Sequence, residues 1–312
     1  VYFISNGSVI WPQEIFSASS KLLCLKSGGI KARYSGQILM VKRTAYSEII
    51  DPLEEKINYD DEGLIRPRKR KTDPSAGPDT LLVMVPSDID GLIKALSQEG
   101  LSHSYLDFFT LYQMKEGAEP RFSFAGPFLG APQAVMGLEK LIVLGARRIW
   151  VLGWCGSLQP HLRIGDMVIP TRAISEEGTS THYPLGDRPA KTDEALNSML
   201  ETQLNNKGHA YSKGMIWTTD APYRETFGKV RRYQSSGVLA VEMEMSALMT
   251  VAAFRGVSLA ALLLVSDELF DLKWHHGFSS PRLEKSCRVA REILIHILTD
   301  DLGATGSSTT SQ

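Results

Sequence analysis

A three-layer α/β domain around a mainly parallel sheet is what the sequence predicts for residues 80–300, and two observations predict it. Strand-sized apolar runs alternate with stretches of helical period, the signature of repeated crossover connections. Glycine, proline and capping residues punctuate the joins where such elements must start or stop. LLVMVP (81–86) reads as a buried strand, and DIDGLIKALSQEG as a short helix ending at Gly100. FSFAGP (122–127) is a strand, and PQAVMGLEKLIVLGA a helix opened by Pro132 and stopped at Gly145. RIWVLGW (148–154) and DMVIPTRAI (166–174) are strands. TDEALNSMLETQLNNKG is amphipathic, with Thr192 or Asp193 as N-cap and Gly208 just past its end. GMIWTTD (214–220) and VLAVEM (238–243) are strands, and MSALMTVAAFRG is a helix closed by Gly256. LAALLLVSD (259–267) is the most apolar strand, and SSPRLEKSCRVAREILIHIL the last helix, with Ser280 as N-cap and Pro281 at its first position.

The flanks read differently. Residues 1–79 lack a sustained period and carry the breakers SGG, YSG, DDEG and PSAGP, so they are expected to be a largely disordered extension. Met40 heads MVKRTAYSEII, and residues 1–39 are expected to fall outside the functional domain. The basic run RPRKRK (66–71) reads as a solvated arm in preference to a nucleic-acid contact. Residues 301–312 form a tail disordered by composition.

Charge is balanced, with 34 basic against 35 acidic residues, so no general field draws nucleic acid or an anionic membrane. An anionic ligand must be held locally. The cysteines Cys24, Cys155 and Cys287 are odd in number and far apart, which argues against a disulfide framework or a zinc site and fits a reducing, cytoplasmic setting. The longest apolar run, LAALLLV, is strand-sized and too short to span a bilayer, and the N-terminus lacks the shape of a signal peptide.

Three polar clusters fall at strand ends, where open α/β sheets bind ligands. LGWCGS (152–157) offers Gly153 and Gly156 for close backbone approach and Ser157 as a hydroxyl. Glu242-Met243-Glu244 interrupts an apolar run, and Ser266-Asp267-Glu268 ends the most apolar strand. A buried carboxylate without a partner is costly, so acids in such places are either solvated or kept for use. Two clusters joined by one helix favour use, because a β-α-β unit brings the ends of its two parallel strands to the same sheet edge. A carboxylate such as Glu244 can accept hydrogen bonds from the paired hydroxyls of a ribose. A partly buried Asp267 can donate a proton to a leaving group.

From about residue 81 to 300 the chain resembles the nucleoside phosphorylase family, which includes purine nucleoside phosphorylases, uridine phosphorylases and methylthioadenosine nucleosidases. The resemblance rests on LGWCGSLQPHLRIGDMVIP (152–170), VEMEMSALMTVAAFRGV (241–257), VSDEL (265–269) and the glycine-rich turn GPFLGAP (126–132). It implies a three-layer domain with a mixed, mainly parallel twisted sheet and cleavage of an N-glycosidic bond of a purine nucleoside or uridine. It further implies that Glu244 binds the ribose hydroxyls, Met243 lies beneath the sugar, and Glu242 sits near base and sugar. Asp267 corresponds to the acid that meets the purine at N7. Asp220 and Tyr223 correspond to the loop beside the nucleobase. The family's stacking aromatic is replaced by Pro222, leaving Trp217 or Tyr223 to stack.

The phosphate site departs from the family's pattern. An arginine before the glycine turn and a Ser or Thr within it correspond here to Val151 and Trp154, and Gly91 stands where a second arginine is expected. Ser87 and backbone amides around Gly153 and Trp154 remain as phosphate contacts, while Asp88 and Asp90 would repel phosphate and could orient a water. Three readings follow: phosphorolysis to free base and ribose-1-phosphate, hydrolysis with water as nucleophile, or a non-catalytic nucleoside-binding domain. Phosphorolysis leads, since the other matching positions are phosphorylase-like, and the retained proton donor speaks against a mere binder. No GxGxxG follows a strand, so a dinucleotide-dependent oxidoreductase is disfavoured. The resemblance implies no metal or organic cofactor, phosphate as co-substrate, and a homo-oligomer, dimer or hexamer.

Overall fold

The computed structural model describes residues 63–98, 100–116 and 119–300, together with four short strands nearer the N-terminus. Those four strands belong to a unit spanning residues 1–64. β1 (Phe3–Ser5) pairs antiparallel with β2 (Ser8–Ile10), and β3 (Ile30–Tyr34) pairs antiparallel with β4 (Gln37–Val41). For the rest of residues 1–62 and for the tail from residue 301, the expected disorder lies outside the described residues.

The second unit runs from Ile65 onward, and its packed body begins before residue 80. Ala76 is buried, and its N–H donates to the carbonyl of Leu144 at 2.9 Å. Lys140 Nζ lies 2.5 Å from the Asp73 carboxylate and 2.7 Å from the carbonyl of Arg68. Gln113 Nε2 donates to the carbonyl of Ser75 at 2.7 Å. Most of the basic run is exposed, as expected, yet Arg70 is paired with Asp107 at 3.1 Å.

One ten-stranded mixed sheet forms the centre of this unit. Its strands are β5 (Asp79–Val83), β6 (Leu101–Leu106), β7 (Phe109–Glu116), β8 (Glu119–Gly126), β9 (Arg148–Ser157), β10 (Met167–Glu176), β11 (Tyr211–Thr219), β12 (Ala240–Glu242), β13 (Ser258–Glu268) and β14 (His275–His276). They lie in the order β14-β13-β10-β11-β12-β9-β5-β8-β7-β6. The two longest ladders, β9 with β13 and β10 with β11, are parallel. Because β13 pairs with both β10 and β9, five strands close into a ring, and β5, β8, β7 and β6 extend from it as an open flap.

Helices cover both faces, as a three-layer arrangement requires. α1 (Pro86–Leu96), α3 (Glu194–Asn206) and α6 (Pro281–Asp300) bury Leu92, Leu200 and Ile293 against Leu81, Trp150, Leu262 and Leu264. α2 (Ala131–Val143) and α5 (Met245–Arg255) pack on the opposite face, against Ile149, Val151, Ala261 and Leu263. Alternate residues of β9 and β13 therefore go to opposite layers, as the two-residue period of a strand demands. A third cluster under α4 (Phe227–Ser235) joins Val230 and Tyr233 to Trp217 and Val241. Of the two cap candidates for α3, Asp193 is the one used, its Oδ1 accepting from Ala195 N at 2.9 Å and Leu196 N at 3.1 Å. Gly256 ends α5 in the left-handed region at φ 68°.

Candidate active site

Gly156 is where the polar clusters meet. In β9 it lies abreast of Val241 in β12 on one side and of Asp267 in β13 on the other. β12 runs antiparallel to β9 while β13 runs parallel to it, so β12 and β13 do not form the parallel pair expected of a β-α-β unit. Their carboxyl ends still converge, because β12 is three residues long and the ladder of β13 shifts register between Val265 and Asp267. A Cβ on Gly156 would stand 3.0 Å from Asp267 Oδ2 and 2.6 Å from Leu269 Cδ1. The backbone can pass so close beneath Asp267 only as glycine.

Glu242 and Glu244 are both buried, yet differently used. Glu242 accepts from Thr218 Oγ1 with one oxygen. With the other it accepts from the N–H groups of Glu244 at 2.7 Å and Met245 at 2.8 Å. These are the unpaired donors at the start of α5, so Glu242 serves as that helix's cap, and its oxygens are committed to the protein. Thr218 Oγ1 in turn accepts from Ser246 N at 2.9 Å, tying the corner to β11. The Glu244 carboxylate accepts from the N–H of Gly130 at 2.6 Å, in the turn before α2, and from the backbone of Met243. Burial raises both carboxyls, and the neighbouring Glu242 charge helps push Glu244 up to about 8. Three donors favour the charged form of Glu242, so Glu244 is the member that holds a proton near neutrality. Met243, between them, is half-buried.

Asp267 is half-buried at the end of β13. Its Oδ1 accepts from Ser266 Oγ at 2.7 Å and its Oδ2 from Trp274 Nε1 at 3.0 Å. Trp274 belongs to a strap whose β14 residues pair with Asp267 and Glu268. Trp274, His276, Phe278 and Trp154 form one aromatic cluster beside the acid. The Cys155 thiol is buried and raised well above its ordinary value, first by burial and then by the charges of Asp267 and Glu242.

The remaining expected residues divide. Gly153 keeps its place in β9, where a Cβ would come within 3.1 Å of Met84 Cγ. Asp220 is exposed, accepts from Gly178 N at 3.0 Å, and is near enough to raise Glu244. Tyr223 is fully exposed in a short turn, Pro222–Arg224. Trp217 is a correction: it has no exposed surface and lies under Tyr233 at 4.7 Å, so it is core and cannot stack on a base. Trp154 keeps its backbone in β9, while its side chain packs on the α1 and α6 layer, where its Nε1 donates to Asp88 at 3.1 Å. Ser87 is exposed at the start of α1. Asp88 is buried and paired with Arg291, whose guanidinium lies over Gly91, so it faces α6 and is unable to orient a water. Glu242 is a second correction, as the helix cap described above.

Glu225 escaped the sequence reading. It follows the exposed turn after β11 and is pushed up to about 7, first by burial and then by Asp267, against the pull of Lys229. In the sequence it is one acid in the polar stretch YRET, and nothing local marks it. Among the described residues no group of three or more His, Cys, Asp or Glu could hold a metal, and no helix is long and apolar enough to cross a membrane.

The family model that matches the chain is that of the phosphorylase superfamily, over residues 80–299. A guanosine phosphorylase of Halorubrum lacusprofundi is 32% identical over 142 residues, covering 45% of this chain and 58% of that protein. A DeoD-type purine nucleoside phosphorylase of Bacillus cereus is 32% identical over 153 residues, covering 48% of this chain and 65% of the relative. The match thus spans about three-fifths of these relatives' own lengths. Among solved structures, uridine phosphorylase from Vibrio fischeri superposes with a TM-score of 0.64 at 19% identity, covering 73% of this chain and 99% of that one. The P. knowlesi homologue of the P. falciparum enzyme PNP gives 0.60 at 21% identity, covering 75% and 96%. These two establish the likeness of fold.

Proposed function

Because the chain belongs to the phosphorylase superfamily, we propose that it cleaves the N-glycosidic bond of a nucleoside with phosphate, giving free base and ribose-1-phosphate. The observation that supports this reading is that Val241, just before the Glu242–Glu244 motif, and Asp267 lie on either side of Gly156. Glu244, which has fewer protein donors than Glu242, takes the sugar diol, with Met243 beside it. Asp267 meets the departing base, with Asp220 and Tyr223 on the loop alongside. The names of the two relatives, guanosine and purine nucleoside phosphorylase, support a purine base. Bond breaking precedes attack, positive charge grows on the ribose, and the base leaves with help from an acid. Such help is worth about 10²–10⁴ in rate. Phosphate is the co-substrate, approached by Ser87 and the backbone at Gly153. On this reading no cofactor takes part. Leu129 and Met136, exposed beside the Gly130 turn, support a homo-oligomer. The buried free thiols of Cys155 and Cys287 fit a cytoplasmic setting.

Hydrolysis is the second reading, favoured by one observation. Arg291, whose guanidinium lies over Gly91 of the expected phosphate loop, is paired with the buried Asp88 and therefore offers phosphate little. Product analysis separates the two. Incubation of guanosine, inosine, adenosine and uridine with and without phosphate should release base in phosphate only, together with ribose-1-phosphate. Free ribose formed at equal rates in both buffers would make the protein a nucleosidase.

A further inference from the structure

We propose that Trp274 is a positioning residue: its indole N–H fixes the Asp267 carboxyl in the attitude from which it meets the departing base. The proposal rests on the glycosidic reading above and deepens it.

Three features support it. The first is the bond itself. Trp274 Nε1 stands 3.0 Å from Asp267 Oδ2, seven residues along the chain. The second is what that bond completes. The terminal torsion of an aspartate is broad, so one donor leaves the carboxyl free to rock. Here Ser266 Oγ donates to Oδ1 at 2.7 Å and Trp274 donates to Oδ2, so donors on both oxygens set the plane of the group. The Ser266 hydroxyl also lies 3.3 Å from the carbonyl of Cys155 and can turn to it, whereas an indole N–H offers one direction only. Gly156 passes beneath the oxygen that Trp274 holds, where a Cβ would come within 3.0 Å.

The third is a strap tied down on both sides of the indole. Before Trp274, Leu269 N donates to the carbonyl of Ser157 at 2.9 Å, and Gln234 Nε2 to that of Phe270 at 2.9 Å. Lys273 N donates to Asp271 Oδ1 at 3.1 Å. After Trp274, His275 and His276 pair with Glu268 and Asp267, and Gly277 N donates to the carbonyl of Ser266 at 2.8 Å. Gly277 is seated so closely on Ile164 that a Cβ would fall 2.6 Å from Cγ2. Between these ties Trp274 is 62% exposed, so core packing does not account for a tryptophan at this position. Its ring has His276 at 5.5 Å and Phe278 at 6.2 Å as neighbours.

The step balances. As the C1′–N9 bond breaks, its electron pair stays on the base. The Asp267 O–H bond breaks as a new N–H bond forms on the base, leaving Asp267 ionised. Hydrogen phosphate forms the new C1′–O bond and afterwards loses its proton to solvent, from which Asp267 recovers one. A hydrogen bond to an ionised group is roughly twice as strong as one between neutral groups. The Trp274 bond therefore strengthens as the base departs, and acts on turnover more than on substrate binding.

The test compares two substrates and one resonance. A purine nucleoside methylated at N7 carries a cationic base that leaves neutral without taking a proton. Trp274→Phe keeps an aromatic ring and removes the N–H. On an ordinary purine nucleoside it should lower kcat about ten- to a hundredfold with little change in KM, the size of effect a misplaced group produces. On the methylated nucleoside the loss should be far smaller. By NMR, the indole N–H resonance of Trp274 should move in Asp267→Ala relative to the wild type. An unmoved resonance would overturn the proposal even if Trp274→Phe failed to fold. So would equal losses on both nucleosides, or full activity of Trp274→Phe on the ordinary one. Those outcomes leave glycosidic cleavage standing. A wild-type protein that cleaves neither nucleoside, with or without phosphate, would overturn both.

Discussion

Two acids that are neighbours in the sequence have opposite fates. Glu242 is saturated by Thr218 and two backbone N–H groups, whereas Glu244 accepts from the backbone of Gly130 and Met243 and has a pKa raised to about 8. By resemblance the motif marked both as candidate sugar ligands, but not the difference between them, which depends on where α5 begins. The raised value has a consequence for stability. Below the ordinary carboxylate range, folded and unfolded chains both hold the proton, and pH has no effect through this group. Between there and about 8 the folded chain keeps a proton that the unfolded chain has lost, so stability declines as pH rises. Above about 8 both are ionised and the full cost is present. Glu244→Gln should therefore flatten the fall in melting temperature between pH 5 and 9, measured by calorimetry. It should also reduce kcat/KM by up to about tenfold, since a hydrogen bond between neutral groups contributes roughly 0.5–1.5 kcal/mol. A variant with the wild-type pH dependence of stability would show that Glu244 is not the titrating group.

Elements with a clear period were readable, and elements without one were not. β9, β13, α2 and α5 stand where the apolar runs and Gly256 put them. The hairpin of β6 and β7 was not anticipated. β7 buries Leu111 toward one layer and Met114 toward the other, so no polar alternation betrays it. α4 was missed for a different reason: Val230 and Tyr233 are its only buried residues, too few for a visible stripe. Trp217 was misread because β11 is buried at its end, where an aromatic next to a polar loop looks available. Gly156 links the strands of the site, and its substitution tests that link. Gly156→Ala places a methyl 3.0 Å from Asp267 Oδ2 and 2.6 Å from Leu269 Cδ1, forcing β9 or the strap to move. Overpacking of this kind costs about 1–3 kcal/mol. A well-folded variant should lose most of its turnover while nucleoside binding, measured by calorimetric titration, declines less. Unaltered turnover would mean that Asp267 can shift without consequence.

At the scale of the molecule, the phosphorylase-like region read from the sequence begins where the family match begins, at residue 80, but packing extends one segment further upstream into what was read as a disordered extension. The signal missed there is tertiary: Ala76, Asp73 and Ser75 have no period, only partners. A chain beginning at Thr80 should therefore melt lower than one beginning at Arg66. Loss of Ser75 leaves the buried Gln113 amide without its acceptor, at a cost of about 1–3 kcal/mol, beside the lost Asp73 pair. Equal melting temperatures would show that residues 66–79 contribute nothing. The strand ring carries a last consequence. β9 and β13 each have neighbours on both sides within a circuit that has no free end, whereas β6 lies at the open margin of the flap. Fraying proceeds inward from margins, so the amides around Leu152 and Leu263 should exchange with deuterium only through whole-domain opening, long after those of β6. The floor on which Gly156 and Asp267 rest would then be the last part of the protein to yield. Loss of activity on mild heating should begin instead in the loops above it.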